Sequence, residues 1–193
     1  MKSNKKTTIL IALLLSIGLV DMQAQNSSVS GVYLNSHDYE TGKLSYLKSK
    51  IRLHDFIASS FMNAVIDGKS TRINKDSIFG YRNCKNETYR FYQNHDEEFL
   101  ILENKTIVLY LSYIRITSNN GKTNHLVPAY FFSKTADSEI LPLSISNLKK
   151  AFPGNLRFHD MLDMEFGSGA TLSEFSEPNK MYIINYLLTK SNQ

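Results

Sequence analysis

The stretch TYRFYQNHDEEFLILENKTIVLYLSYIRI, residues 88–116, decides the fold. It contains TYRFY, EFLIL and TIVLYLSYIRI, all rich in aromatic and β-branched side chains. Such side chains suit a pleated, half-buried surface, so each segment reads as a strand. The gaps, QNHDE and ENK, are short, polar and supplied with turn-forming Asn and Asp. Residues 107–111 are apolar at every position, which suits a central strand covered on both faces.

Reading outward, SIFGY (77–81) adds a strand upstream, separated by RNCKNE. Downstream, Asn119-Asn120-Gly121 marks a hairpin turn before the strand AYFF (129–132). Pro128 and Pro142 cannot donate to a ladder, so their segments belong at an edge or a strand end. Nearer the N-terminus, GVYLN (31–35) reads as a strand and YETGKLSY (39–46) as a turn and strand. KIRLH (50–54) alternates like a half-buried strand. The second half of DFIASSFMNAVI (55–66) reads as a strand, because Asp67-Gly68 makes a hairpin-type turn before STRI (70–73).

The pattern changes after Pro142. Ser146 is a candidate N-cap for a helix over NLKKAF, ended by Pro153-Gly154. NLRFHDMLDMEF (155–166) is a second helix, with Phe158, Met161, Leu162 and Phe166 in one apolar stripe. Ser176 with Pro178 can start a third, NKMYIINYLL, which is apolar enough to read alternatively as a buried strand. Strands grouped before helices predict an α+β class: an antiparallel meander followed by two or three C-terminal helices. A strongly bent meander of this kind can close partly into a barrel.

The N-terminus carries Lys2, Lys5 and Lys6, an apolar run over 9–20, and small Ala24 in DMQAQ. That is the layout of a secretory signal peptide, residues 1–24, preceding a single domain over 25–193. A retained single-pass anchor is the alternative, but the run falls short of the ~20 residues a spanning helix needs. No Cys sits near the cleavage region, and no later segment is long and apolar enough to cross a membrane. The chain is therefore expected to be exported, to the periplasm or the exterior. Losing three lysines and Asp21 with the leader lowers the formal charge from +4 to +2. Mild charge and export together argue against nucleic acid as a partner. The single Cys84 cannot form an internal disulfide.

SGVYLNSHDYETGKL, KDSIFGYRNCKNETYRFY and NLKKAFPGNLRFHDMLD lie between residues 30 and 163 and together span most of residues 25–193. In these segments the chain resembles small uncharacterised exported proteins of Gram-negative bacteria. The resemblance implies export and one compact domain. It implies no activity, cofactor or catalytic residue.

Two sets of residues could carry function. His159 and Asp163 lie one helical turn apart and could share a metal, although zinc sites take three or four protein ligands. Their ordinary alternative is an exposed pair on an amphipathic helix. Four of the five histidines precede Asp: His37-Asp38, His54-Asp55, His95-Asp96 and His159-Asp160. If these converge, they suggest a metal-dependent hydrolase. If not, they serve as turns and caps. The second set is Tyr89, Arg90, Phe91 and Tyr92. On a strand, Tyr89 and Phe91 share one face and Arg90 and Tyr92 the other. Either face could stack on a ligand; otherwise one face is core and the other amphipathic surface.

No catalytic residue is assigned. GSGATLS lacks the Gly-x-Ser-x-Gly elbow, and Gly167-Ser168-Gly169 lacks the lysine of a phosphate loop. Cys84, between Arg82 and Lys85, has no histidine close in sequence. No cofactor is called for. The expected function is a non-enzymatic exported domain that binds a protein or small-molecule partner. The alternatives are a barrel or sandwich holding a small apolar or amphipathic ligand, and the His-Asp hydrolase.

Overall fold

Alternating side chains and short turns build a seven-stranded antiparallel sheet in the order β1-β5-β6-β7-β8-β9-β10. Its strands are β1 Gly31–Tyr33, β5 Gly80–Arg82, β6 Thr88–Phe91, β7 Glu98–Asn104, β8 Val108–Thr117, β9 Asn124–Ser133 and β10 Leu141–Pro142. A second sheet joins β2 Lys50–Arg52, β3 Phe61–Ile66 and β4 Lys69–Asn74. The computed structural model describes residues 29–47, 50–52, 60–66, 68–92, 97–117, 124–167 and 171–193. The expected signal peptide, the 119–121 turn, and the pairs His54-Asp55 and His95-Asp96 lie outside them.

The meander of the sequence reading is present, but it stays open. β1 and β10 are the two edges, so there is no closure into a barrel. The apolar faces are buried by separate layers instead. On the front face, Val32, Tyr81 and Phe91 pack with Met62, Ala64 and Ile73 of the small sheet. Farther along that face, Leu109 and Phe132 pack with Leu148, Phe158, Leu162, Ile184 and Leu188 of the helical layer. On the back face, Phe99, Val108 and Tyr110 pack with Ile140. Tyr33 and Phe79 pack there with Ala136.

The β3–β4 hairpin has the expected two-residue turn, with Ile66 paired to Lys69 and Gly68 at φ 79°. A Cβ there would meet the preceding carbonyl, so glycine is the natural occupant. Pro128 lies within β9, yet it costs no ladder bond. Leu143 N donates to Tyr130 O at 2.9 Å, so even-numbered backbone groups of β9 point away from β8. Pro128 therefore turns its nitrogen to the open edge beyond β10, as edge prolines do. Pro142 is in the edge strand itself.

The local details of the helices differ from the sequence reading. A short helix, α1 Ser36–Glu40, follows β1, where Asn35 caps the N–H of Asp38 at 2.8 Å. The next helix, α2 Ile145–Ala151, is capped by Ser144, which accepts from Asn147 N at 3.1 Å. Ser146 lies inside it. α3 Leu156–Phe166 is capped by Asn155 and buries Phe158, Leu162 and Phe166. Ser176 and Pro178 do not start a helix. They belong to a hairpin, β11 Phe175–Ser176 with β12 Met181–Tyr182, and the last helix, α4, is Ile183–Ser191. Glu103 and a ring contact between Phe175 and Tyr182 hold that hairpin.

Glu103 reaches the helices because of a bulge. The β7–β8 register shifts between Ile101 and Glu103, so Leu102 and Glu103 both turn to the front. Its carboxylate accepts from Asn185 Nδ2 at 2.7 Å and Tyr182 N at 3.2 Å. Asn185 is fully buried and also accepts from Ile107 N at 2.9 Å, tying α4 to the β7–β8 turn. No helix among the described residues is long and apolar enough to cross a membrane.

Candidate functional site

Between the small sheet and the helices, a strip of the front face is left uncovered by the other described residues. The register aligns Tyr81, Tyr89, Leu100, Leu111 and Tyr130 across β5 to β9. At ~4.8 Å per strand the row runs about 19 Å. Tyr81 is buried at one end, Tyr89, Leu100 and Leu111 are half-buried, and Tyr130 is exposed. Tyr113, two residues beyond Leu111 on the same face, is 60% exposed.

From there β8 and β9 continue together past β7, paired as far as Thr117 with Asn124. This arm carries Leu126 and Tyr113 on its front and Ile114 and Ile116 on its back, all exposed. Surface apolar residues are ordinarily scattered. Here they are contiguous with the half-buried row.

The strip is polar at its β6 end. Tyr81 stacks on Tyr89, with ring centroids 5.1 Å apart. The Tyr81 hydroxyl donates to Glu98 at 2.9 Å, and that of Tyr89 to Glu87 at 3.2 Å. Asn83 also donates to Glu87, at 2.6 Å. Burial, reinforced by the Glu98 carboxylate, pushes the Tyr81 hydroxyl far up. Burial and then Glu87 push Tyr89 up to about 12. At the helix side, burial raises Tyr182, with Tyr130 and Glu103 adding to it. The strip therefore sets protonated phenol hydroxyls against carboxylate acceptors.

A raised tyrosine keeps its proton more tightly in the fold than in the unfolded chain. The stability Tyr89 contributes is complete below the ordinary value of 10.0 and is lost as pH rises toward about 12. Urea unfolding followed between those limits should show falling stability, with a shallower fall for Tyr89→Phe.

The sequence candidates are dispersed. Tyr89 belongs to the strip. Phe91 is buried beneath the small sheet. Arg90 points to the back face and is only 4% exposed. Its guanidinium donates to Tyr110 Oη at 2.9 Å and Ser138 O at 2.8 Å. It also lies 5.1 Å from the Tyr92 ring centre and 5.4 Å from that of Phe79. This side chain fastens the 134–140 loop across the sheet. His159 and Asp163 engage different groups. A ring nitrogen of His159 is 2.9 Å from Phe152 O, while both Asp163 oxygens accept from Lys149 Nζ at 2.6 Å. Asp38 is buried beside its cap Asn35 and 3.4 Å from Lys43. Among the described residues, no group of three or more His, Cys, Asp and Glu could hold a metal ion.

Tyr113, Tyr130, Leu100 and Leu111 were not singled out in the sequence. A signal was present: YIRI extends the apolar run of β8 well beyond the five-residue EFLIL segment it pairs with. Compared with known protein families, curated proteins and solved structures, the chain matches none, so its functional reading rests on this geometry.

Proposed function

We propose that this is an exported, non-enzymatic binding domain that docks a polypeptide partner along the front-face strip and the β8–β9 arm. The observation that carries the reading is the continuity of exposed Tyr113, Tyr130 and Leu126 with half-buried Leu100 and Leu111. Tyrosines are enriched among the few residues that supply most of the energy of protein interfaces, and apolar neighbours serve to exclude water from them. The alternatives have less support. The open sheet offers no barrel lumen. His159 and Asp163 are each committed to other contacts.

The test is a photo-crosslinking amino acid placed at Tyr113 or Leu126 in the source cells. Met164, 83% exposed on α3, serves as the control position. Adducts are expected at Tyr113 and Leu126 above the Met164 background. Equal yields at all three positions would refute the assigned surface.

A further inference from the structure

The back face of the sheet holds a polar corner that is independent of the front-face strip. We propose that this corner binds one carboxylate group, held by the Arg82 guanidinium and the Tyr33 hydroxyl.

Strand register builds the corner. Arg82 and Thr88 are paired across β5 and β6, on the face that carries Tyr33. The guanidinium carbon of Arg82 lies 5.5 Å from the centre of the Tyr33 ring. Tyr39 stands edge-on to Tyr33, with ring centroids 5.5 Å apart. Leu44 and Ser45 wall the β1 side. They come within 3.1 and 2.8 Å of a Cβ built on Gly31, the β1 partner of Arg82. Arg82 and Thr88 are half-buried, so the corner is reached from solvent past these two side chains.

Two donors in this corner lack a partner among the described residues. Tyr33 is fully buried, and its hydroxyl makes no hydrogen bond. Thr88 is near enough to draw its proton affinity down, but not in hydrogen-bonding geometry. The Nε of Arg82 is buried and unpartnered as well. Buried polar atoms are nearly always paired, so two donors in one corner call for an acceptor from outside.

The acceptor's charge follows from the neighbours. Among the described residues no carboxylate pairs with Arg82. Glu87, the acid nearest to it in sequence, accepts from Asn83 and Tyr89, and Lys85 is the cation that acts on it. Asp38 lies beside Lys43. Burial raises the Tyr33 hydroxyl above its ordinary value, so it keeps its proton and donates. An arginine presents Nε–H and one Nη–H side by side, at the spacing of two carboxylate oxygens. The Tyr33 O–H supplies a third donor. One guanidinium balances one negative charge, which favours a carboxylate over a phosphate dianion. The carboxylate can belong to a free acid or to a polypeptide C-terminus.

The test follows the Arg82 Nε–H signal by NMR in the ¹⁵N-labelled chain, purified after export. The signal is assigned by its loss in Arg82→Lys. Propionate should shift it saturably. Phosphate and chloride at equal ionic strength should bind at least about tenfold more weakly. Arg82→Lys keeps the charge and loses the fork, and should weaken propionate about tenfold, read from the neighbouring amides. Tyr33→Phe should weaken it about fivefold. Without propionate, Tyr33→Phe should leave the melting temperature unchanged, because the hydroxyl it removes has no partner in the protein. Acetyl-trialanine binding more tightly than propionate would identify a chain terminus, and binding no tighter would identify a free acid.

No saturable shift with propionate would mean that water alone fills the corner, and would overturn the inference. Phosphate binding as tightly as propionate would overturn the carboxylate assignment, as would amidated acetyl-trialanine binding as tightly as the acid. Tyr33→Phe that binds propionate like the parent, or melts more than about 3 °C lower, would show that the hydroxyl is not a ligand donor. That reading of Tyr33→Phe stands even if Arg82→Lys fails to fold.

Discussion

Gly80→Ala is expected to remove roughly 3 kcal/mol or more of stability, beyond the usual range for overpacking. Gly80 pairs with Arg90 across β5 and β6. A Cβ built on it would lie 1.9 Å from Tyr89 O and 3.0 Å from Arg90 Cα, both backbone atoms. No rotamer change relieves such an overlap, so β5 has to move off β6. That movement pulls on two flanking backbone bonds, Phe91 N to Phe79 O at 2.9 Å and Phe79 N to Tyr33 O at 3.0 Å. It also opens the Tyr81–Tyr89 stack at the head of the strip. Urea unfolding measures the effect. At a slope of about 2 kcal/mol/M the midpoint should fall by about 1.5 M. Gly154→Ala is the control, because a Cβ there meets nothing within 4 Å. If the two variants unfold at the same urea concentration, the β5–β6 register is wrong.

Arg90→Ala is the second large effect, at about 3–4 kcal/mol, the sum expected for losing charge-assisted hydrogen bonds and opening a cavity. The loss has separable parts. Ser138 O loses its buried donor, the Phe79, Tyr92 and Tyr110 rings lose a cation, and a cavity opens under the 134–140 loop. Arg90→Met keeps the volume and removes the desolvated charge, so it should cost about half as much. Arg90→Lys keeps the charge but cannot fork between Tyr110 and Ser138. Amide hydrogen exchange provides a local readout: the 134–140 loop should lose protection in all three variants before the α3–α4 layer does. A cost below about 1 kcal/mol for Arg90→Ala would mean that the guanidinium is not seated among these groups.

Both sites involve residues whose importance is hard to see in one dimension. TYRFY was legible as a strand because side-chain alternation is a local property. The face shared by Tyr89 and Phe91 was legible for the same reason. That Arg90 is buried was not, because a lone arginine in a strand ordinarily points to water. Its burial depends on the 134–140 loop, more than forty residues away, folding over the back of the sheet. The same logic separates the helices. The stripe Phe158, Leu162 and Phe166 follows from a period of 3.6 and is buried as such. The start of α4 does not follow, because it is set by Glu103 reaching across from β7. Ser144 and Ser146 are equally good caps by type, and Ser144 is the one whose hydroxyl meets an amide.

The sequence by itself determined the class of the fold, the run of antiparallel strands that includes the neighbours β8 and β9, the tight turn between β3 and β4, and the placing of Pro128 and Pro142 where no ladder bond is lost. These follow from side-chain period, turn chemistry and the missing proline N–H, all readable within a few residues. Only the tertiary structure decided that the sheet stays open, that Arg90 turns inward, and that Tyr113 and Tyr130 join Tyr89 on one uncovered strip. Those outcomes depend on register between distant strands, on one bulge that turns Glu103 to the front, and on which layer covers which part of a face.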